Sequence, residues 1–202
     1  MSDFIVELQG RTVEYFDDEH VYLVDGVLVP SVSAVVDFAL GNPYSGTRSA
    51  ALGRAAQLGT ELHSAIEAYC KDGTESDLVE VRNFRFLQEQ YCFDVVENEL
   101  PVIVEHDGVV VCAGRFDMTI KIDGVLGGAD IKRVSALKRE RTALQLNLYR
   151  LGYKQCYGER WEHLHAIWLR GDVRRFVKLP INEEYTLDVL SDFKKWRTEY
   201  DG

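Results

Sequence analysis

The sequence predicts a mixed α+β domain, and three observations lead there. Stretches of alternating apolar and polar residues are bounded by Asp-Gly turns, segments of helical periodicity lie between them, and the order is irregular. Strands, helices, three strands, a helix, two strands and a last helix do not make a regular doubly wound sheet; they make a mixed sheet with helices around it.

Residues 12 to 30 read as short strands of a ribbon, broken by Asp-Asp-Glu at 17 to 19 and by Asp25-Gly26, and ended by Pro30. "SVSAVVDFAL" then starts a helix with Ser31 or Ser33 as N-cap, stopped by "GNP" at 41 to 43. A long helical pattern runs from about 47 to 71 and closes at Asp72-Gly73, and a second runs from about 75 to 91. Strand patterns follow at about 100 to 106, 109 to 122 and 125 to 132, separated by Asp107-Gly108 and Asp123-Gly124. A helix over about 138 to 157 ends at Gly158, strands over about 163 to 169 and 173 to 179 flank Gly171-Asp172, and an amphipathic helix closes the chain.

At 202 residues and 46% hydrophobic, the chain is expected to be one domain, 1 to 202, with the 12 to 30 ribbon as an appendage. No apolar run approaches the roughly 18 residues that span a bilayer, and the N-terminus lacks a basic-then-apolar leader, so the expectation is a cytoplasmic chain with no membrane partner. Cys70, Cys92, Cys112 and Cys156 are scattered, which speaks against a zinc knuckle or a disulfide framework. The net charge of −10 hides an uneven distribution: residues 132 to 178 hold 12 Lys+Arg against 4 Asp+Glu. Such a segment is either a docking surface for a polyanion or a pair of solvated helix faces.

In "GRFDMTIKIDGVLGGADIKR" the Asp123-Gly124 turn sets Ile122 opposite Val125, so opposed positions sum to 247 and Asp117 faces Asp130. Phe116, Met118, Ile120, Ala129 and Ile131 then share an apolar face, and Arg115, Asp117, Thr119, Asp130 and Lys132 share the other, unless a bulge at Gly127-Gly128 shifts the pairing. Two opposed carboxylates repel unless a cation lies between them. Oxygen donors suit Mg²⁺ or Mn²⁺, with Lys132 beside the metal, a constellation that fits phosphodiester hydrolysis. A hydrated, solvent-facing ribbon is the other reading. On the 47 to 71 helix, His63 and Glu67 share a face, with His63 either a ligand or an ordinary helix histidine. Gln145 and Tyr149 have the same spacing after "KRERT", on a helix face that is either a nucleic-acid contact or simply wet.

Taken in order, these segments resemble the PD-(D/E)XK nuclease superfamily, in its RecB-like exonuclease branch, over about residues 20 to 150. "VYLVDGVLVPSVSAVV" is similar to that branch's N-terminal segment, and "GTELHSAIEAY" resembles the helix carrying its motif histidine, here His63. "GRFD" resembles the G-x-x-D motif, "ADIK" the D/E-x-K motif and "QLNLY" the Q-x-x-x-Y motif. The resemblance implies a restriction-endonuclease-like core, a central mixed sheet flanked by helices. It also implies Mg²⁺ or Mn²⁺ held by His63, Asp117, Asp130 and the Ile131 carbonyl, with Asp117, Asp130 and Lys132 catalytic. Glu99 matches an acidic position of some members, and Glu67 is a further acidic candidate. DNA contacts fall to Gln145, Tyr149, Arg133, Lys138, Arg139 and Arg141.

Arg133 stands where Thr or Ser commonly follows the motif lysine. The cysteines do not match the iron–sulfur pattern of some relatives, so no cluster is expected. The implied activity is a metal-dependent DNase, an exonuclease on DNA ends or single strands, in a phage or bacterial setting with recombination or replication proteins as further partners. The alternative is a catalytically inactive nucleic-acid- or partner-binding module with the same fold.

Overall fold

The computed structural model describes residues 3 to 17, 21 to 42 and 50 to 200. The break expected at Asp18 and Glu19, the stop at Pro43 and a helix start at 47 lie outside the described residues. The fold is mixed α+β. A four-stranded antiparallel sheet comes first, with β1 (Phe4–Leu8), β2 (Arg11–Phe16), β3 (Val21–Val24) and β4 (Val27–Val29) in sequence order. The expected ribbon therefore begins at residue 4 rather than 12, because β1 pairs with β2 from Phe4↔Tyr15 to Leu8↔Arg11. Pro30 ends it, and the Ser31 hydroxyl caps α1 (Val32–Leu40) by accepting from the Ala34 N–H at 3.1 Å.

Two helices follow, α2 (Ala50–Asp72) and α3 (Val79–Tyr91). The central sheet runs β5 (Phe93–His106), β6 (Val109–Ile122), β7 (Val125–Lys132), β8 (His163–Arg170) and β9 (Val173–Leu179), in sequence order. Within this sheet β7 and β8 pair in parallel, because α4 (Arg139–Tyr157) carries the chain across between them, and the other neighbouring strands pair antiparallel. Helix α5 (Glu183–Tyr200) ends the fold. No helix among the described residues is long and apolar enough to cross a membrane.

Two further elements depart from expectation. Helix α3 starts four residues later than its pattern suggested, and β5 starts at Phe93, well before residue 100. Its polar opening "FDVVENE" reads as loop by composition, yet Phe93 and Val95 pair with the far end of β6 and bury against α3. Tertiary pairing overrides weak local preference.

The sheet separates two layers. One face packs on α4 through Phe116, Leu144, Leu148, Tyr149, Tyr153 and Trp161. The opposite face is covered in two parts: Met118, Ile120, Ala129 and Ile131 lie under α2 and α3, whereas Ile103 and Ala113 lie under the N-terminal sheet.

Candidate metal centre

The 247 register holds in the structure, from Ile122↔Val125 to Met118↔Ala129, with no bulge at Gly127-Gly128. Those glycines instead make room for neighbours, since a Cβ on Gly128 would overlap the Trp161 ring and one on Gly127 the His163 ring. Beyond Met118↔Ala129 the expectation fails. Phe116 packs with the α4 layer whereas Met118 packs with the α2/α3 layer, so the alternation of β6 flips at Asp117. Asp117 is therefore not a ladder partner of Asp130, nor Phe116 of Ile131. Strand β5 flips at the same level: Leu100 packs with the α4 layer, and Glu99 has φ +54°, the left-handed region that non-glycine residues seldom enter. The β5–β6 ladder passes from Asn98↔Met118 to Leu100↔Phe116 and steps over Glu99 and Asp117.

This double kink opens a fork between β6 and β7. The Ile131 N–H, which would otherwise bond the neighbouring strand, donates to Asp117 Oδ2 at 2.6 Å. The Ile131 carbonyl lies 3.2 Å from His63 Nε2, reached from α2. That contact assigns the proton to Nε2 and turns Nδ1 toward Asp117 Oδ1 at 3.6 Å and Glu99 Oε1 at 3.8 Å. His63, Glu99 and Asp117 offer ligand atoms that all lie within 4.8 Å of one another.

The donor set fits a hard divalent ion. His63 Nδ1 is buried with no hydrogen-bond partner among the described residues. Metal-binding histidines commonly anchor their other ring N–H on a carbonyl, as His63 does on Ile131. Donors around an octahedral ion with bonds of ~2.1 Å stand roughly 3.0 Å apart when adjacent and 4.2 Å when opposite. The two separations from His63 Nδ1, 3.6 Å to Asp117 and 3.8 Å to Glu99, fall between those limits.

The same geometry explains the electrostatics without an ion. Each acidic group has its own cation: Asp117 has His63, Glu99 has Arg115 (2.9 Å), and Asp130 has Lys132 (2.7 Å). The repulsion expected of two bare carboxylates is met by side chains. Burial opposes the charge on His63, but Asp117, Glu99 and Asp130 outweigh it and push the ring up to about 9. Burial also raises Asp117, and it takes Asp130 to about 6 against the pull of Lys132.

The other expected residues divide clearly. Lys132 Nζ bridges Asp130 and Gln145 Oε1, at 3.0 and 3.1 Å, so Gln145 on α4 braces the lysine. The face carrying Asp130 and Thr119 is buried rather than solvent-facing. Tyr149 is a core residue, not a surface contact; its ring lies against Gly114 and its hydroxyl faces Gln145. Glu67 pairs with Lys71 on α2, outside the acidic group. Arg133 is held by Glu80, Arg141 by Asp37 and the Gly41 carbonyl, and Arg139 by the Lys178 carbonyl, while Lys138 stays exposed at the α4 N-cap. The four cysteines are free, on or beside separate elements.

Sequence reasoning did not find Arg115 as the partner of Glu99. Its guanidinium also lies over the Phe4 and Tyr15 rings, 5.9 and 5.8 Å from their centroids, so the N-terminal sheet walls one side of the centre. No short motif announces such a contact.

No protein-family model matches the chain, and no curated protein sequence matches it. Among solved structures, SSO0001 aligns with a TM-score of 0.45 at 16% identity, over 85% of this chain and 81% of that one. A Eubacterium rectale protein described provisionally as an exonuclease aligns with a TM-score of 0.46 at 14% identity, over 85% and 79%.

Proposed function

We propose that the chain is a divalent-metal-dependent nuclease that hydrolyses phosphodiester bonds in DNA, as an exonuclease on ends or single strands in phage or bacterial recombination, repair or replication. One observation carries this reading: an orphaned histidine nitrogen and two carboxylates converge at the β6–β7 fork, next to the Asp130–Lys132 pair braced by Gln145. The side chains of His63, Glu99, Asp117 and Lys132 keep partial solvent exposure, so a phosphate can reach them.

Mg²⁺ or Mn²⁺ is the proposed ion, held by His63, Asp117 and Glu99 with Asp130 adjacent; when bound it polarises the phosphate and lowers the pKa of water. Lys132, fixed by Asp130 and Gln145, orients the attacking water and offsets charge growing on the phosphate oxygens. The water gives a proton to bulk solvent as its oxygen forms a bond to phosphorus, the bond to the leaving sugar oxygen breaks, and that oxygen takes up a proton from solvent. Glu99 is kept in place by Arg115, and His63 by the Ile131 carbonyl.

The test is cleavage of an end-labelled strand with Mg²⁺ or Mn²⁺. Asp130→Ala and Lys132→Ala are each expected to lower the rate by at least about a hundredfold while the circular dichroism spectrum is kept. Undiminished cleavage by both variants would sink this assignment of the site, and absence of metal-dependent cleavage by the wild type would leave a non-catalytic binding module. A covalently closed circle cut as fast as a linear strand would exclude a strict exonuclease.

A further inference from the structure

Two of the four basic residues expected to touch DNA, Arg133 and Arg141, are occupied within the fold, yet the local excess of positive charge has to go somewhere. It collects at the outer edge of the central sheet. A cleft of about 620 Å³ between β9, the end of α3 and the start of α4 is lined by Arg139, Arg174, Arg175 and Lys178, together with Tyr91 and Phe176, and by no acidic residue. Arg174 is spoken for, stacked over Phe86 at 3.8 Å and bonded to Asn83 Oδ1. Among the described residues, the Arg175 guanidinium and the Lys178 ammonium have no hydrogen-bond or ion-pair partner.

Four cations in one cleft repel one another, and a chain of net charge −10 has acidic residues to spare for pairing them. Leaving them unpaired fits a polyanion as their partner. The aromatic residues narrow its chemistry. Tyr91 is 41% exposed and lies against Phe176 with centroids 4.8 Å apart, the two rings tilted at 36°. Exposed ring faces beside cations suit bases that are themselves unpaired, whereas a duplex hides its base faces.

The sheet register ties this cleft to the metal centre. Lys132 pairs with Trp168 and Trp168 with Arg175, so Arg175 lies two strands from Lys132, roughly 10 Å across the sheet. A strand whose phosphate lies at the β6–β7 fork can reach the cleft within a few nucleotides.

We propose that the β9-edge cleft is a binding site for single-stranded nucleic acid, in which Arg175 and Lys178 hold phosphates and Tyr91 stacks a base. The identity of the ligand rests on the nuclease reading above; the presence of an unpaired cationic, aromatic cleft does not.

The experiment measures binding of a fluorescein-labelled oligo(dT) of about twenty nucleotides to the metal-free full chain in EDTA, by anisotropy over a range of salt. The expected affinity falls with salt. Arg175→Ala combined with Lys178→Ala weakens it by about tenfold and makes the slope of log K against log salt shallower by about 1.4, for two lost phosphate contacts. Tyr91→Ala weakens binding several-fold with the slope kept. Absence of binding by the wild type, equal affinity and slope in the double variant, or a duplex bound as tightly as the single strand each overturns the proposal. Because no metal is present, the result is separate from cleavage. Cleavage without cleft-dependent binding removes the cleft and spares the nuclease reading, whereas cleft-dependent binding without cleavage does the reverse.

Discussion

The fork between β6 and β7 and the cleft at the β9 edge both gather charge, but they hold it in opposite ways. At the fork three carboxylates and three cations are largely buried and matched one to one. At the edge the cations face water, and two of them are unmatched. Charge is costly to bury unless every group is paired, so the fork is rigid and each member depends on the next. Charge in water costs little, so the edge tolerates unpaired groups and can give them to a ligand, at the cost of sensitivity to salt.

The largest expected effect that separates the two regions is at Arg115. Arg115→Ala leaves Glu99 buried without its cation and is expected to lower the stability of the metal-free protein by about 3 kcal/mol, with part of the loss restored by Mn²⁺. Denaturant melts with and without Mn²⁺ measure it. A variant as stable as the wild type would mean that the fork is not the interdependent set described here.

A middle-sized effect is at His63. Its folded pKa of about 9 lies above the ordinary 6.5. The stabilisation from its charged ring is therefore whole below pH 6.5 and is lost as pH rises through 9. A metal on Nδ1 has to displace that proton. Mn²⁺ binding at pH 7 is expected to release about one proton from this ring, and the release is expected to fade above pH 9. Calorimetry in buffers of different ionisation enthalpy counts the protons, and a release that does not change across pH 9 contradicts the assignment.

The smallest effect is the control. Arg175→Ala and Lys178→Ala are each expected to change folding stability by no more than about 0.5 kcal/mol, because neither side chain has a partner to lose. A loss of several kcal/mol in the same melts would show the edge to be structural and would blur the contrast with the fork.

Much of this was legible in the residue pattern. The bounds of β6 and β7 follow from Asp107-Gly108 and Asp123-Gly124, and the order of elements follows from periodicity. The 247 register follows from one turn. The kink at Glu99 and Asp117 did not show, because a strand pattern assumes unbroken alternation and nothing nearby in the chain signals the flip. Nor did the occupation of Tyr149, Arg133 and Arg141, since Tyr149 packs on Gly114 and the two arginines pair with Glu80 and Asp37, all distant in sequence.

The division has one physical source. Turn chemistry and side-chain period act over a few residues, so the sequence alone determined the order of elements from β2 onward, the β6–β7 turn and its register, and the placing of Asp130 and Lys132 on one strand face. Burial and pairing act through space. Only the tertiary structure decided that β5 and β6 flip together, that His63 and Glu99 meet Asp117 at the resulting fork, and that the unpaired cations lie two strands away at the sheet edge.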